Sequence, residues 1–162
     1  STLVGQKLGA GDTSEAVEYG ASIIRLSAVV YLIASGFVVV FAGPIAAFFV
    51  SGPEEVAQAT TFVRVGAVSG LAFGVNGATT GALLGAGDTR LPFVTSIVGQ
   101  YVLALPVAAV GLVTPLGVGG LYIAFVLGMA FPAVANMLRF RGGKWTEADA
   151  TGTADVPESP ED

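Results

Sequence analysis

The chain carries no carboxylate between Glu18 and Glu54, between Glu55 and Asp88, or between Asp88 and Glu147. Each gap is long enough for at least one helix to cross a bilayer, which takes roughly 20 mostly apolar residues. Backbone groups in hydrocarbon must bond within their own segment or around a closed barrel, so unbroken apolar runs of this length specify helices. Only 12% of the residues are charged, against roughly 25% in soluble domains. Half of the 12 acids lie beyond Thr146. The chain reads as an all-α integral membrane protein.

Four spans are predicted, at about 26–50, 62–84, 91–113 and 116–138. Residues 1–8 read as the end of a preceding helix, so that 1–145 forms the transmembrane part. The chain opens without Met or a charged leader, in mid-pattern, and is expected to be a fragment of a longer protein. Residues 146–162 are rich in Pro, Gly and acids, and are expected to form a disordered tail.

A hexapeptide recurs at the ends of two apolar runs: Leu8-Gly9-Ala10-Gly11-Asp12-Thr13 and Leu84-Gly85-Ala86-Gly87-Asp88-Thr89. In the first copy, Gly9 and Gly11 can end a helix in the left-handed conformation. Asp12 can then cap the next helix, with Glu15 completing a capping box. In the second, Asp88 or Thr89 caps, and Pro92 falls in the first turn, where its missing N–H costs nothing. The string resembles the anion-hole signature of ribokinase-type sugar kinases, but no strand or nucleotide-binding βαβ unit accompanies it. A structural loop is expected, built on Gly9, Gly11, Asp12, Gly85, Gly87 and Asp88.

Basic residues cluster at one set of span ends: Lys7, Arg25, Arg90, Arg139, Arg141 and Lys144. That places both hexapeptides and the tail in the cytoplasm. Arg64 lies inside the second span near the other face, where its long stem can snorkel to the interface.

The second span carries Gly66, Gly70, Gly74, Gly77, Gly81 and Gly85 at steps of three or four, which keeps them on one helical face. Helices in lipid associate by close approach over small residues, so Gly66 to Gly81 are predicted to form a packing spine. Uncharged polar residues inside the spans need partners or water. Asn76 shares a face with Ser69, Thr79 and Thr80; Gln100 follows Ser96; Asn136 follows Pro132; and Ser27, Tyr31 and Ser35 form a row. Individually these suit interhelical hydrogen bonds. Together they suggest a polar cavity, with Asn76, Gln100, Tyr101 and Asn136 as candidate wall residues. Pro106 and Pro132 are expected to kink their helices.

Histidine and cysteine are absent, which removes the commonest general base and any thiolate metal site. No metal site or organic cofactor is expected, the chain is not expected to be an enzyme, and nothing in it suits nucleic acid. An ion-coupled carrier ordinarily uses an intramembrane carboxylate, and the spans contain none.

Gly81-Ala82-Leu83-Leu84-Gly85-Ala86-Gly87-Asp88-Thr89-Arg90-Leu91-Pro92 resembles a loop pattern of the multidrug and toxic compound extrusion (MATE) family. Thr2-Leu3-Val4-Gly5-Gln6-Lys7-Leu8-Gly9-Ala10-Gly11-Asp12 is similar to that family's pattern at an earlier helix end, and the Arg139-Phe140-Arg141 exit matches too. The resemblance implies four complete helices, and the end of another, from the second lobe of a twelve-helix transporter in the plasma membrane. It implies export of organic cations or amphipathic compounds in exchange for Na⁺ or H⁺ by alternating access. The partners implied are the bilayer, small organic substrates and an N-terminal lobe. Some members carry an acid in the helix matching 62–84, where this chain has Asn76. The coupling ion is therefore expected in the N-terminal lobe. The alternatives are a related lipid-linked or polysaccharide exporter, which would need a basic cavity absent from these spans, and a non-transporting four-helix membrane scaffold.

Overall fold

The computed structural model describes residues 2–146. The described chain is helical: α1 (Thr2–Gly9), α2 (Thr13–Val40), α3 (Ala42–Phe49), α4 (Pro53–Gly85), α5 (Arg90–Ile97), a π-helical segment (Val98–Ala104), α6 (Leu105–Val113) and α7 (Val118–Arg141). Four continuous rods, Thr13–Val40, Pro53–Gly85, Arg90–Val113 and Val118–Arg141, are long and apolar enough to cross a membrane. Two of them begin where the backbone finds help. Asp12 accepts the Glu15 N–H at the start of α2. Pro53 opens α4, with Glu54 and Glu55 in the first turn, where carboxylates favour the helix dipole. Arg139 and Arg141 sit at the opposite pole, in the last turn of α7.

The first span departs from the expected 26–50. It starts at Thr13, because Asp12 caps it there, and breaks at Phe41. Pro44 is the physical reason, since it has no N–H to bond the Val40 carbonyl and its ring crowds that oxygen. At Pro106 the expected kink takes another form. The turn before it is widened into the π-helical segment, in which the Leu105 N–H reaches back to the Gln100 carbonyl. Pro132 lies inside a continuous α7, and its ring packs 3.0 Å from where a Cβ on Gly99 would stand. Of the expected tail, Thr146 closes a short 3₁₀ turn (Lys144–Thr146), and 147–162 lie outside the described residues.

α4 is the central rod, packed against α2 on one side and α7 on the other, while α5, the π segment and α6 pack on α7. Connectivity makes α4 and α7 parallel and brings both hexapeptides to one end of the bundle, the end carrying Arg139 and Arg141. There Val4, Ala16, Ile24, Leu83, Ala86, Phe140 and Trp145 form the apolar core. Trp145, past the last span, is fully buried; it stacks on Phe140 at 5.0 Å and donates its indole N–H to the Phe140 carbonyl at 2.7 Å. Elsewhere the rods show large apolar side chains outward, such as Ile33 at 68% and Leu112 at 86% exposure. Hydrocarbon solvates such a surface.

Close approach depends on a subset of the glycines. Gly74 lies under the Tyr31 ring, and Gly70 faces Ser35, which joins the Ser27–Tyr31–Ser35 row to the α4 face. Gly66, Gly77 and Gly81 have open space where a Cβ would stand. Of the predicted spine only Gly70 and Gly74 meet α2; nearer the basic end α2 meets α4 through Gly20 and Ala82. Tighter contacts lie elsewhere. A Cβ on Gly120 would stand 2.5 Å from the Gly111 Cα, and one on Gly5 would stand 2.6 Å from the Gly85 carbonyl oxygen. Gly111→Val and Gly120→Val are expected to cost about 1–3 kcal/mol by overpacking. Gly77→Ala should be neutral or slightly stabilising through helix propensity. Thermal denaturation in detergent measures both.

Candidate functional site

The two hexapeptide copies adopt one backbone and serve two purposes. Gly11 and Gly87 take positive φ, 79° and 81°, a conformation only glycine enters cheaply. In each loop the following Asp donates its N–H back to the helix, Asp12 to the Lys7 carbonyl at 2.9 Å and Asp88 to the Leu83 carbonyl at 3.0 Å. Gly11 and Gly87 likewise bond Leu8 and Leu84. This is the Schellman closure of a helix end. Gly9 and Gly85 are instead the last helical residues.

The aspartate side chains then part ways. Asp12 caps α2, but Glu15 does not return the bond; its carboxylate pairs with Lys7. That hydrogen bond, then the charge behind it, hold the Lys7 ammonium above the ordinary lysine value. Asp88 caps nothing. It is buried, and the Arg139 Nε donates to its carboxylate at 2.8 Å, tying the α4–α5 loop to the last turn of α7. Thr89 occupies the cap position without a side-chain bond. The expectation that Asp88 or Thr89 caps α5 is corrected accordingly. The clue available in the chain was Leu91, which stands where a capping-box partner of Asp88 would be.

About one turn deeper lies a second polar knot. Asn136 on α7 is fully buried. Its Nδ2 donates to Asn76 Oδ1 at 2.9 Å and to Thr80 Oγ1 at 3.1 Å, both on α4. Its Oδ1 accepts from Thr95 Oγ1 on α5 at 2.9 Å. Both amide protons and the carbonyl oxygen are thereby used, and the amide cannot rotate without losing all three bonds. Sequence reading missed Thr95, which shares a helix with Ser96 but points to the other side, into this knot. Ser69, grouped with Asn76 on pattern, is buried with its hydroxyl unpartnered.

The four candidate wall residues therefore fall into two sets. Asn76 and Asn136 bond each other, inside the packing of α4, α5 and α7. Gln100 and Tyr101 lie on the π-helical segment and are exposed; Tyr101 is 68% accessible. Gln100 runs along Gly128, whose added Cβ would meet its amide atoms at 3.3 and 3.4 Å. The structure does not gather the four around one cavity within this chain. Among the described residues, no cluster of His, Cys, Asp or Glu could hold a metal ion.

Four apolar rods, three of them joined by internal polar knots, define a multi-pass helical membrane protein. The MatE family model matches residues 1–110. The chain is 32% identical over 143 residues to "Multidrug resistance protein MdtK" of Cronobacter sakazakii (strain ATCC BAA-894), covering 85% of this chain and 31% of that protein. It is 32% identical over 146 residues to "Probable multidrug resistance protein NorM" of Pasteurella multocida (strain Pm70), covering 86% of this chain and 31% of that protein. No solved structure matches significantly. The chain belongs to the MatE family, whose members are transporters and not enzymes, and it spans about a third of the length of these relatives.

Asn136→Ala removes three bonds and strands their partners, and should destabilise the protein by about 2 kcal/mol on the membrane-protein scale for such bonds. Ser69→Ala removes an unsatisfied hydroxyl and should be neutral or stabilising by about 1 kcal/mol. Denaturation in mixed micelles separates the two.

Proposed function

We propose that this chain is the C-terminal part of the second lobe of a multidrug efflux antiporter. The observation that carries the reading is the family match over residues 1–110, with relatives named for multidrug resistance. In this reading the intact protein exports organic cations or amphipathic compounds from the cell in exchange for Na⁺ or H⁺. It sits in the plasma membrane with the basic-flanked loops and the tail in the cytoplasm, as the distribution of Lys and Arg favours. The coupling ion is bound in the N-terminal lobe, because no carboxylate occurs in the chain between Glu55 and Asp88 or between Asp88 and Glu147.

The geometry supports a division of labour. The Asn136 knot and the Asp88–Arg139 pair lock α4, α5 and α7 together, which suits a lobe that rocks as one body. The π-helical segment, with Gln100 and Tyr101 exposed, is the part of the candidate site left available to a substrate. Such single-turn widenings concentrate at functional sites.

The test is efflux by the intact transporter in a drug-sensitive host, with the Na⁺ and H⁺ gradients collapsed in turn. Efflux of an ethidium-type cation should stop when one of the two gradients is removed. Gln100→Ala and Tyr101→Ala should each weaken apparent substrate affinity by about fivefold, the equivalent of roughly 1 kcal/mol of contact, at unchanged membrane abundance. Efflux that survives loss of both gradients would overturn antiport. Unaltered affinity in both variants would remove the π-helical segment from the substrate path.

A further inference from the structure

A groove of about 490 Å³ runs between α4 and α7, lined by Ala72, Val75, Ala130, Ala133, Val134 and, at its basic end, Arg141. Its concavity comes from the three alanines, which leave room that larger side chains would fill. Its α7 wall runs from Val126 to Arg141, about 22 Å along the helix axis at 1.5 Å per residue, and its α4 wall from Val68 to Val75, about 10 Å. Its walls belong to two bilayer-spanning rods, so what fills it meets hydrocarbon along its length and the headgroup layer at Arg141.

The charge at the mouth is distinctive. Arg139, two residues earlier, is paired with Asp88, and Lys7 is paired with Glu15. Arg141 is exposed and takes part in neither of these bridges. A guanidinium presents a planar fork that matches phosphate oxygens in a bidentate fashion. A free phosphate would gain nothing from the apolar trough, and an organic cation would meet repulsion at its mouth. A molecule with a long hydrocarbon chain and one anionic phosphate satisfies both ends.

We infer that this groove seats an acyl chain of an anionic phospholipid from the leaflet at the basic end, with the lipid phosphate held by Arg141. Basic positions between spans recognise anionic headgroups in this manner, each cation near the surface contributing modestly. The inference needs only insertion of the four spans, and stands or falls apart from the transport reading.

The experiment places a single cysteine at Val134, on the groove rim, in an otherwise cysteine-free intact transporter. The thiol is labelled with bimane and the protein reconstituted in vesicles. Quenching by brominated phosphatidylglycerol is compared with quenching by brominated phosphatidylcholine. The anionic lipid should quench at about fivefold lower mole fraction, the effect of one cation near the surface. Arg141→Gln should abolish that preference, and Arg141→Lys should retain part of it. The same label at Leu105, exposed on α6, should show no preference. Equal quenching by the two lipids at Val134 would overturn headgroup recognition. A label protected from both lipids would show that protein covers the groove, another segment of the polypeptide or a second copy, and would overturn the lipid assignment.

Discussion

The amide of Asn136 is the point on which the packing of three helices depends. In water its two N–H groups and its carbonyl would be solvated at no structural cost. Between membrane spans there is no such recourse, and each polar group left unpaired is costly. Asn76, Thr80 and Thr95 answer it from two other helices. The register of α4 against α7 and the rotation of α5 are thereby set by hydrogen-bond geometry, not by apolar contact. Apolar contact alone specifies little here, because lipid chains are as good a neighbour for leucine as another helix is.

Steric fit supplies what hydrophobicity cannot. The α6–α7 hairpin closes over Gly111 and Gly120, and α1 lies on the end of α4 through Gly5 and the Gly85 carbonyl. At the basic end Gly20 gives the Phe140 ring its place, and Phe140 in turn carries Trp145. These contacts gather at the two ends of the bundle and along the α2–α4 crossing. The remaining glycine face of α4 stays bare. Among the described residues nothing packs on Gly66, Gly77 or Gly81, and Gln100 and Tyr101 of the π-helical segment are exposed.

The hexapeptide shows how one local sequence can serve two tertiary ends. Leu-Gly-Ala-Gly-Asp-Thr encodes the same helix stop twice, because a glycine with positive φ and two backward hydrogen bonds need nothing from outside the segment. The aspartate side chain is not so confined. With Lys7, the cation across the loop, paired to Glu15, Asp12 caps its own helix. With Arg139 arriving from α7, Asp88 becomes half of a buried ion pair.

Much of the fold was legible in residue order alone. The carboxylate-free runs required four membrane helices, the repeated loop marked two helix ends on one side, and Pro106 stands where regular α-helix gives way, whereas the break ahead of Pro44 falls inside the expected first span. These are consequences of chain-local physics: transfer of backbone to lipid, the φ range of glycine, and the missing N–H of proline. What could not be read was which polar and small residues meet. Asn76 and Asn136 are 60 positions apart, Asp88 and Arg139 are 51 apart, and a face of six glycines is used at only some of its members. Helical periodicity places a residue on a face. Only the crossing of one helix with another, under the demand that buried polar groups be paired, chooses which members of that face touch and which remain open to a ligand.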